Sequence, residues 1–313
     1  MNRLSRLFIL LALPWLALTT GCFDAGSDTP PADTFVFASS SEHHTLDPQR
    51  MSWLHDIRIA DALYETLVRT DLETMAPEPA AARRWTVSED RRTWTFHLQP
   101  DGKFDNGDPV TADSFRVAWR RALMPDTASP YAHLLYVIDG AESFYQWRQA
   151  QIAQVAAKEL DAQAALDAAR EKFDQTVAIK ALDDHTLEVT LARPVPYFLE
   201  LCGFATFAPI HVPSWKAQTQ LNPDTGTVTT RPDYFSDPAK LVSNGPYQLA
   251  DRQAGEHLTL SANPHWWNQD NLGVPHIREV VISEPNNARL RYGRGSVHWL
   301  PDLPSASALA AEL

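Results

Sequence analysis

The stretch from Arg84 to Met124, R-W-T-V-S-E-D-R-R-T-W-T-F-H-L-Q-P-D-G-K-F-D-N-G-D-P-V-T-A-D-S-F-R-V-A-W-R-R-A-L-M, spells out a strand, two turns and a helix. Trp94, Phe96 and Leu98 alternate with Thr95 and His97, which places the large apolar groups on one face of a half-buried strand. Pro100-Asp101-Gly102 and Asp105-Asn106-Gly107-Asp108-Pro109 are two clusters of turn residues, with Gly102 and Gly107 able to adopt positive φ. Thr111 is placed to cap a helix that carries Asp113 in its first turn. Phe115, Ala118, Trp119, Ala122 and Leu123 then recur at helical spacing and form a single apolar stripe. Asp101, Asp105 and Asp108 lack the Glu that would close a calcium loop, so they are read as turn residues.

Outward from this unit the chain alternates strand and helix patterns. A first strand is expected over Thr34–Ala38, and a helix from Leu54 to about Val68. The segment from Trp147 to Phe173 has neither proline nor glycine and is rich in Ala, Gln, Glu and Lys, which predicts one or two helices. Val177, Ile179, Ala181, then Asp183-Asp184, then Leu187, Val189 and Leu191 read as a hairpin with a short acidic turn. A second hairpin is expected from Asn244-Gly245-Pro246-Tyr247 through a turn at Ala254-Gly255 to Leu258 and Leu260, followed by a strand over Ile277–Ser283. Strands mixed with separated helices argue for an α/β or α+β fold of more than one lobe.

The N-terminus reads as an export signal: Arg3 and Arg6, an apolar run from Leu7 to Leu18, then Thr19-Thr20-Gly21-Cys22. The run is shorter than the roughly 20 residues that span a bilayer. The small residues before Cys22 resemble a lipoprotein signal that would make this cysteine the lipidated first residue. Thr19 stands where such signals usually carry a branched aliphatic residue, so an ordinary cleaved secretory signal is the alternative. Phe23 to Asp33, polar and broken by two prolines, reads as a tether. The formal net charge is −12, and loss of the signal removes two arginines and no acid. An acidic exported chain does not suit nucleic acid or anionic membranes, so membrane contact is expected through the lipid alone.

Reactive chemistry is sparse. There is no G-x-S-x-G, H-E-x-x-H, C-x-x-C or phosphate loop. Cys202, in an apolar setting, reads as a buried small hydrophobe. His43-His44 offers adjacent imidazoles without a third ligand at a defined spacing, so no metal and no cofactor are expected. Among the aromatic residues, Trp53, Tyr131 and Trp266-Trp267 fall in irregular segments, where a ligand cleft is one reading and the core the other.

Several segments, taken in order, resemble the oligopeptide-binding proteins of bacterial ABC importers, which are extracellular solute-binding proteins of family 5. They are Thr45-Leu46-Asp47-Pro48, Ala62-Leu63-Tyr64-Glu65-Thr66-Leu67, Pro77-Glu78-Pro79 with Trp85, and the Arg84–Met124 unit. Pro125 to Tyr131, Lys180 to Val189, Asn244-Gly245-Pro246-Tyr247 and Asn263-Pro264-His265-Trp266-Trp267 follow. The resemblance implies an α/β, two-lobed periplasmic-binding-protein-like fold of type II with an extra inserted domain. It assigns 1–21 to the signal peptide and 22–33 to the tether. The first lobe takes 34–70 and 176–288, the small inserted domain 71–175, and the start of a C-terminally truncated second lobe 289–313.

The implied function is that of a periplasmic or envelope lipoprotein, anchored through Cys22, that is not an enzyme and hands oligopeptides to ABC permease and ATPase subunits. The peptide is held by strand-like main-chain hydrogen bonds. By position, Ser52-Trp53-Leu54 matches the segment that pairs with the peptide backbone, Tyr131 a cleft tyrosine, and Asn244 a cleft asparagine. Ser52 and Trp53 depart from the pattern, standing where close peptide-binding relatives carry an acidic residue and a glycine. R-Y-G-R-G-S-V-H-W, Arg291 to Trp299, resembles the crossover into the second lobe. The alternatives are a truncated remnant that binds nothing or serves as an interaction protein, and, more remotely, an exported hydrolase. A chain ending at this crossover is expected to bind peptides weakly or not at all.

Overall fold

The computed structural model describes residues 30–302. The signal peptide, Cys22, the tether up to residue 29 and the segment from residue 303 onward lie outside the described residues. From the N-terminus, strand β1 (Thr34–Ser39) leads through an irregular loop to helix α1 (Leu54–Leu63) and strands β2 (Val68–Thr70) and β3 (Pro77–Pro79). Next come β4 (Ala82–Val87), β5 (Thr93–Leu98), α2 (Ala112–Leu123), α3 (Ala141–Ala156) and α4 (Ala162–Thr176). The hairpin β6 (Ile179–Asp183) and β7 (Thr186–Thr190) precedes two short helices, α5 (Phe198–Cys202) and α6 (Val212–Ala217), and a small ribbon, β8 (Thr219–Leu221) with β9 (Val228–Thr230). Strands β10 (Tyr247–Gln253), β11 (His257–Ala262) and β12 (His276–Val281), then helix α7 (Pro285–Gly293), complete the described fold.

Two four-stranded sheets organise these elements. The main sheet runs β1-β12-β11-β10, with β1 parallel to β12 and the other pairs antiparallel. The second runs β4-β5-β7-β6, wholly antiparallel, with Phe96 opposite both Trp85 and Leu187. Each sheet has its own apolar core. The larger core gathers Trp94, Phe96, Phe115, Trp119, Phe144, Phe173, Leu187 and Phe198; the smaller gathers Phe37, Leu46, Ile59, Leu63, Leu249, Leu258 and Leu260.

The Arg84–Met124 unit forms as its local chemistry dictates. Along β5, Trp94, Phe96 and Leu98 are buried and the residues between them half-buried. Thr111 caps α2 by accepting from the Ser114 amide, and Ser114 reciprocates to the Thr111 amide, so two orphan donors are satisfied. The whole apolar stripe of α2 is buried, and Trp119 Nε1 donates to the Phe207 carbonyl at 2.8 Å. Only the second turn uses positive φ, at Gly107 (+88°); Gly102 does not. Asp105 and Asp108 are turn and docking residues: Asp105 accepts from the Ser243 amide and hydroxyl at 2.9 Å, and Asp108 pairs with His211 at 2.9 Å.

One sequence expectation, the end of helix α1, is corrected, and strand pairing is added at two expected domain boundaries. The boundary expected between residues 175 and 176 falls inside one unit, because β7 pairs with β5 along Thr93–His97, and Thr190 faces Thr93. The 179–190 hairpin thus completes the second sheet and does not return to the main one. Helix α1 stops at Leu63, not near Val68: Tyr64 is extended, and the Leu63 carbonyl receives the Gly245 amide at 2.9 Å. The described part of the segment expected to open a second lobe runs beside β1. After α7, the His298 amide donates to the Val36 carbonyl at 2.8 Å, the Ala38 amide donates to the Trp299 carbonyl at 3.1 Å, and Val297 packs on Val36 and Ala38. The outer edge of β1 is thereby covered. Trp147–Phe173 resolves into two helices, α3 and α4, separated near Lys158, whose φ of +63° ends the first.

Candidate ligand-binding site

In open α/β sheets, side chains that follow the carboxyl ends of parallel strands are free of the core and available to ligands. In the main sheet the parallel pair β1 and β12 ends at Ser39 and Val281. The loop leaving β1 delivers Ser52, Trp53 and Leu54 to the start of α1, where all three are exposed, Trp53 at 56% and Leu54 at 70%. An apolar pair this open at the start of a helix is a departure from burial that a ligand or partner would relieve. Trp53 is ordered by its neighbours, lying flat on His44 with ring centroids 4.7 Å apart and planes at 6°.

Tyr131 precedes a short 3-10 turn, Ala132–Val137, and its half-buried ring meets Phe204 edge-on at 4.9 Å. Among the described residues its hydroxyl has no hydrogen-bond partner, which leaves it available to a ligand. Asn244 behaves differently. It is 2% exposed, its Nδ2 donates to the Glu65 carbonyl at 2.8 Å, and its Oδ1 accepts from the Glu65 amide at 3.1 Å. It clamps main chain.

That clamp belongs to a larger junction. Glu65 is buried, and its carboxylate accepts from Trp266 Nε1 at 3.0 Å and Trp267 Nε1 at 2.8 Å. Burial pushes its pKa up to about 7, against the pull of the two indole hydrogen bonds and Arg69. Gly245 lies so close to α1 that a Cβ there would meet the Leu63 carbonyl carbon at 2.4 Å, and Asn263 Nδ2 donates to the Gly245 carbonyl at 2.9 Å. Asp47 forms a buried ion pair with Arg121 of α2, which also donates to Gln49 Oε1 at 2.6 Å. Most motif residues thus tie the two cores together.

The five expected site residues therefore form three separate places: the start of α1, Tyr131, and the Asn244 junction. Among the described residues no hydrogen bond, ion pair or ring contact joins one place to another. A cavity of about 1000 Å³ touches none of the five; it lies between α2, α4 and the β8-β9 ribbon and is lined by Arg116, Arg120, Arg170, Trp215 and Lys216. The structure also adds residues that the sequence reading missed. His44 is joined by His55 and Asp56 from the first turn of α1, and buried His43 lies between Asp56 and Glu279. Burial draws the His43 pKa down, but the two carboxylates outweigh it and carry it up to about 9. The i, i+1 pairing of His55 with Asp56 eleven residues after His44 was the available signal.

Residues 76–313 match the family described as bacterial extracellular solute-binding proteins, family 5 middle. The chain belongs to family 5 of the bacterial extracellular solute-binding proteins. This family 5 chain is 30% identical over 282 residues to the periplasmic oligopeptide-binding protein OppA of Salmonella typhimurium, an overlap of 90% of the chain and 45% of that relative. It is also 30% identical over 285 residues to a probable deoxycholate-binding periplasmic protein, YgiS, of Escherichia coli, covering 89% of the chain and 46% of the relative. Among solved structures it resembles the substrate-binding domain of an oligopeptide ABC transporter from Bacillus anthracis, with a TM-score of 0.70, 29% identity and coverage of 86% of this chain and 45% of that one. The family 5 chain spans about half the length of the curated relatives it matches, and its α/β architecture is that of periplasmic peptide-binding proteins.

Proposed function

We propose that this chain is part of an exported solute-binding protein that captures extended oligopeptides for an ABC importer. The observation that carries this reading is the exposed Ser52-Trp53-Leu54 segment beyond the carboxyl end of β1. Relatives named for oligopeptide binding support it. In this reading the exposed backbone at Ser52–Leu54 pairs with the peptide main chain, Trp53 and Leu54 flank a side chain, and the Tyr131 hydroxyl donates or accepts at a second point. Asn244 acts indirectly by fixing the turn after α1. The reading is one of binding, and it is supported by the burial of Glu65, His43 and Cys202, three groups with displaced pKa values, in structural contacts.

The division into a first lobe, an inserted unit and further chain is part of the same proposal, with the insert extended past residue 190 to keep the second sheet whole. So are lipidation at Cys22, residence in the periplasm or envelope, and handover to a permease and its ATPase. Lipidation is tested by mass spectrometry of the mature N-terminus, which should carry a diacylglyceryl group on Cys22; an unmodified terminus refutes it.

Peptide capture is tested by titrating tri- to pentapeptides while following calorimetric heat and tryptophan fluorescence. Binding should weaken at least about tenfold in Leu54→Asp and Trp53→Ala. No response at millimolar peptide, or undiminished binding in both variants, overturns the reading. Deoxycholate is the second ligand to titrate, because Trp53 presents a flat aromatic surface and a 30% identical relative is named for that steroid. Saturable deoxycholate binding with no response to peptides would replace the peptide by a steroid acid.

A further inference from the structure

We propose that His44, His55 and Asp56 form a binding site for one divalent first-row transition-metal ion of the zinc class. Each offers a ligand atom, and the three atoms lie within 4.8 Å of one another. The spacing suits joint coordination. His44 Nδ1 and His55 Nε2 are 3.2 Å apart, and His55 Nε2 is 3.6 Å from Asp56 Oδ1. Two donors each bound about 2.0–2.1 Å from a tetrahedral ion are separated by about 3.3 Å. The pair of imidazole nitrogens already has that separation without movement of the backbone.

A hydrogen bond between the two rings explains the 3.2 Å distance but does not involve the carboxylate beside them. Asp56 is fully buried; its Oδ1, the oxygen 3.6 Å from His55 Nε2, accepts from the His44 amide at 2.9 Å, while Oδ2 has no hydrogen-bond partner among the described residues. A buried carboxylate oxygen without a partner is costly unless a cation or proton completes it. Its other neighbour, His43, is already engaged by Glu279 through Nε2 and reaches Asp56 Oδ1 only at 3.5 Å.

The surroundings have the form of a second coordination layer. Metal-binding histidines commonly direct the ring nitrogen remote from the ion to a polar group, which fixes ring orientation. His55 Nδ1 faces Ser41 Oγ at 3.5 Å, leaving Nε2 for the ion. The His44 ring is held flat against Trp53, and His43 stands between the ligand carboxylate and Glu279. Two nitrogen donors and one carboxylate oxygen favour zinc, nickel or copper over magnesium or calcium. His44 is exposed, so three protein ligands leave a fourth position open to water or to a small donor molecule.

The test uses the untagged full chain, stripped with chelator and titrated with Zn²⁺ by calorimetry and against a chromophoric chelator. One equivalent should bind in the micromolar range or tighter, and Co²⁺ in its place should give the intense visible absorption of a four-coordinate ion. His44→Ala and His55→Ala should each weaken binding at least about tenfold, whereas His257→Ala, remote on β11, should not. Cu²⁺ should quench part of the tryptophan fluorescence, and Trp53→Phe should remove that part, a readout that needs no ligand to be mutated. Substoichiometric binding at 100 μM Zn²⁺, wild-type affinity in both histidine variants, or Cu²⁺ quenching unchanged in Trp53→Phe overturns the proposal. None of these outcomes depends on whether the chain binds peptides.

Discussion

Replacing Glu65 by Gln should alter the pH dependence of stability more than stability itself. Glu65 titrates near 7 in the folded protein against 4.5 as a free carboxyl, chiefly because it is buried. A carboxyl with a raised folded pKa holds its proton more tightly in the native state. Its contribution therefore favours the fold at low pH, begins to fade as the unfolded carboxyl ionises above about 4.5, and reaches its full penalty beyond about 7. The shift corresponds to a penalty of about 3 kcal/mol at pH 8, of which only about 1 kcal/mol is present at pH 5. Gln carries no charge and feels neither. It offers a single carbonyl to one of the two indoles, so the other indole N–H loses its partner at a cost of about 1–3 kcal/mol at every pH. The variant should be the less stable protein at pH 5, by about 1 kcal/mol, and close to or above wild type at pH 8. Urea unfolding at pH 5, 6, 7 and 8, followed by circular dichroism, reads the difference, and every other titrating group is common to both proteins. A wild-type-to-variant difference that stays constant within about 0.5 kcal/mol across this range would refute the burial argument.

Gly245→Ala should destabilise by about 3 kcal/mol or more, since its Cβ would meet only backbone atoms of Leu63 and Tyr64 at 2.4–2.6 Å. Gly273→Ala, with nothing within 4 Å, serves as the neutral control in the same urea series, and equal midpoints would contradict the fold at the junction. Asp47→Ala should cost about 3–5 kcal/mol by leaving Arg121 buried and unpaired, and adding Arg121→Met should restore part of that loss; a double variant no better than the single one argues against it. Cys202 is fully buried with its pKa driven far up by burial. In a Cys22→Ser chain it should resist a disulfide reagent for hours in buffer and react at once in denaturant.

What was legible in the sequence was what nearby residues decide. The alternation through Trp94, Phe96 and Leu98, the Thr111 cap and the stripe from Phe115 to Leu123 all follow from spacing within a dozen residues. The choice of strand partners does not. Thr93 meets Thr190, 97 residues away, and no local pattern says whether the 179–190 hairpin joins β5 or the main sheet. Helix α1 was overextended for the same reason, since its end is imposed by Asn244 and Gly245 from the far side of the molecule. Trp53 and Leu54, expected at a ligand surface, remain exposed. At Asn244 the amide serves the Glu65 main chain, and at His44 a loop has to bring His55 and Asp56 into range, neither of which local spacing can show. Several motifs that carry the family resemblance, Glu65, Asn244 and Trp266-Trp267 among them, meet at the junction of the two cores.

The placement of β1 also constrains the order in which the chain can acquire structure. Val36 donates to His298 across 262 residues, and the other edge of the same strand pairs with His276–Val281. The first strand to be synthesised thus has no partner on either side until nearly all of the described chain exists. The second sheet, spanning Ala82 to Thr190, can close long before. Whenever folding begins, β1 is among the last strands to be paired, while the middle of the molecule can close on local contacts.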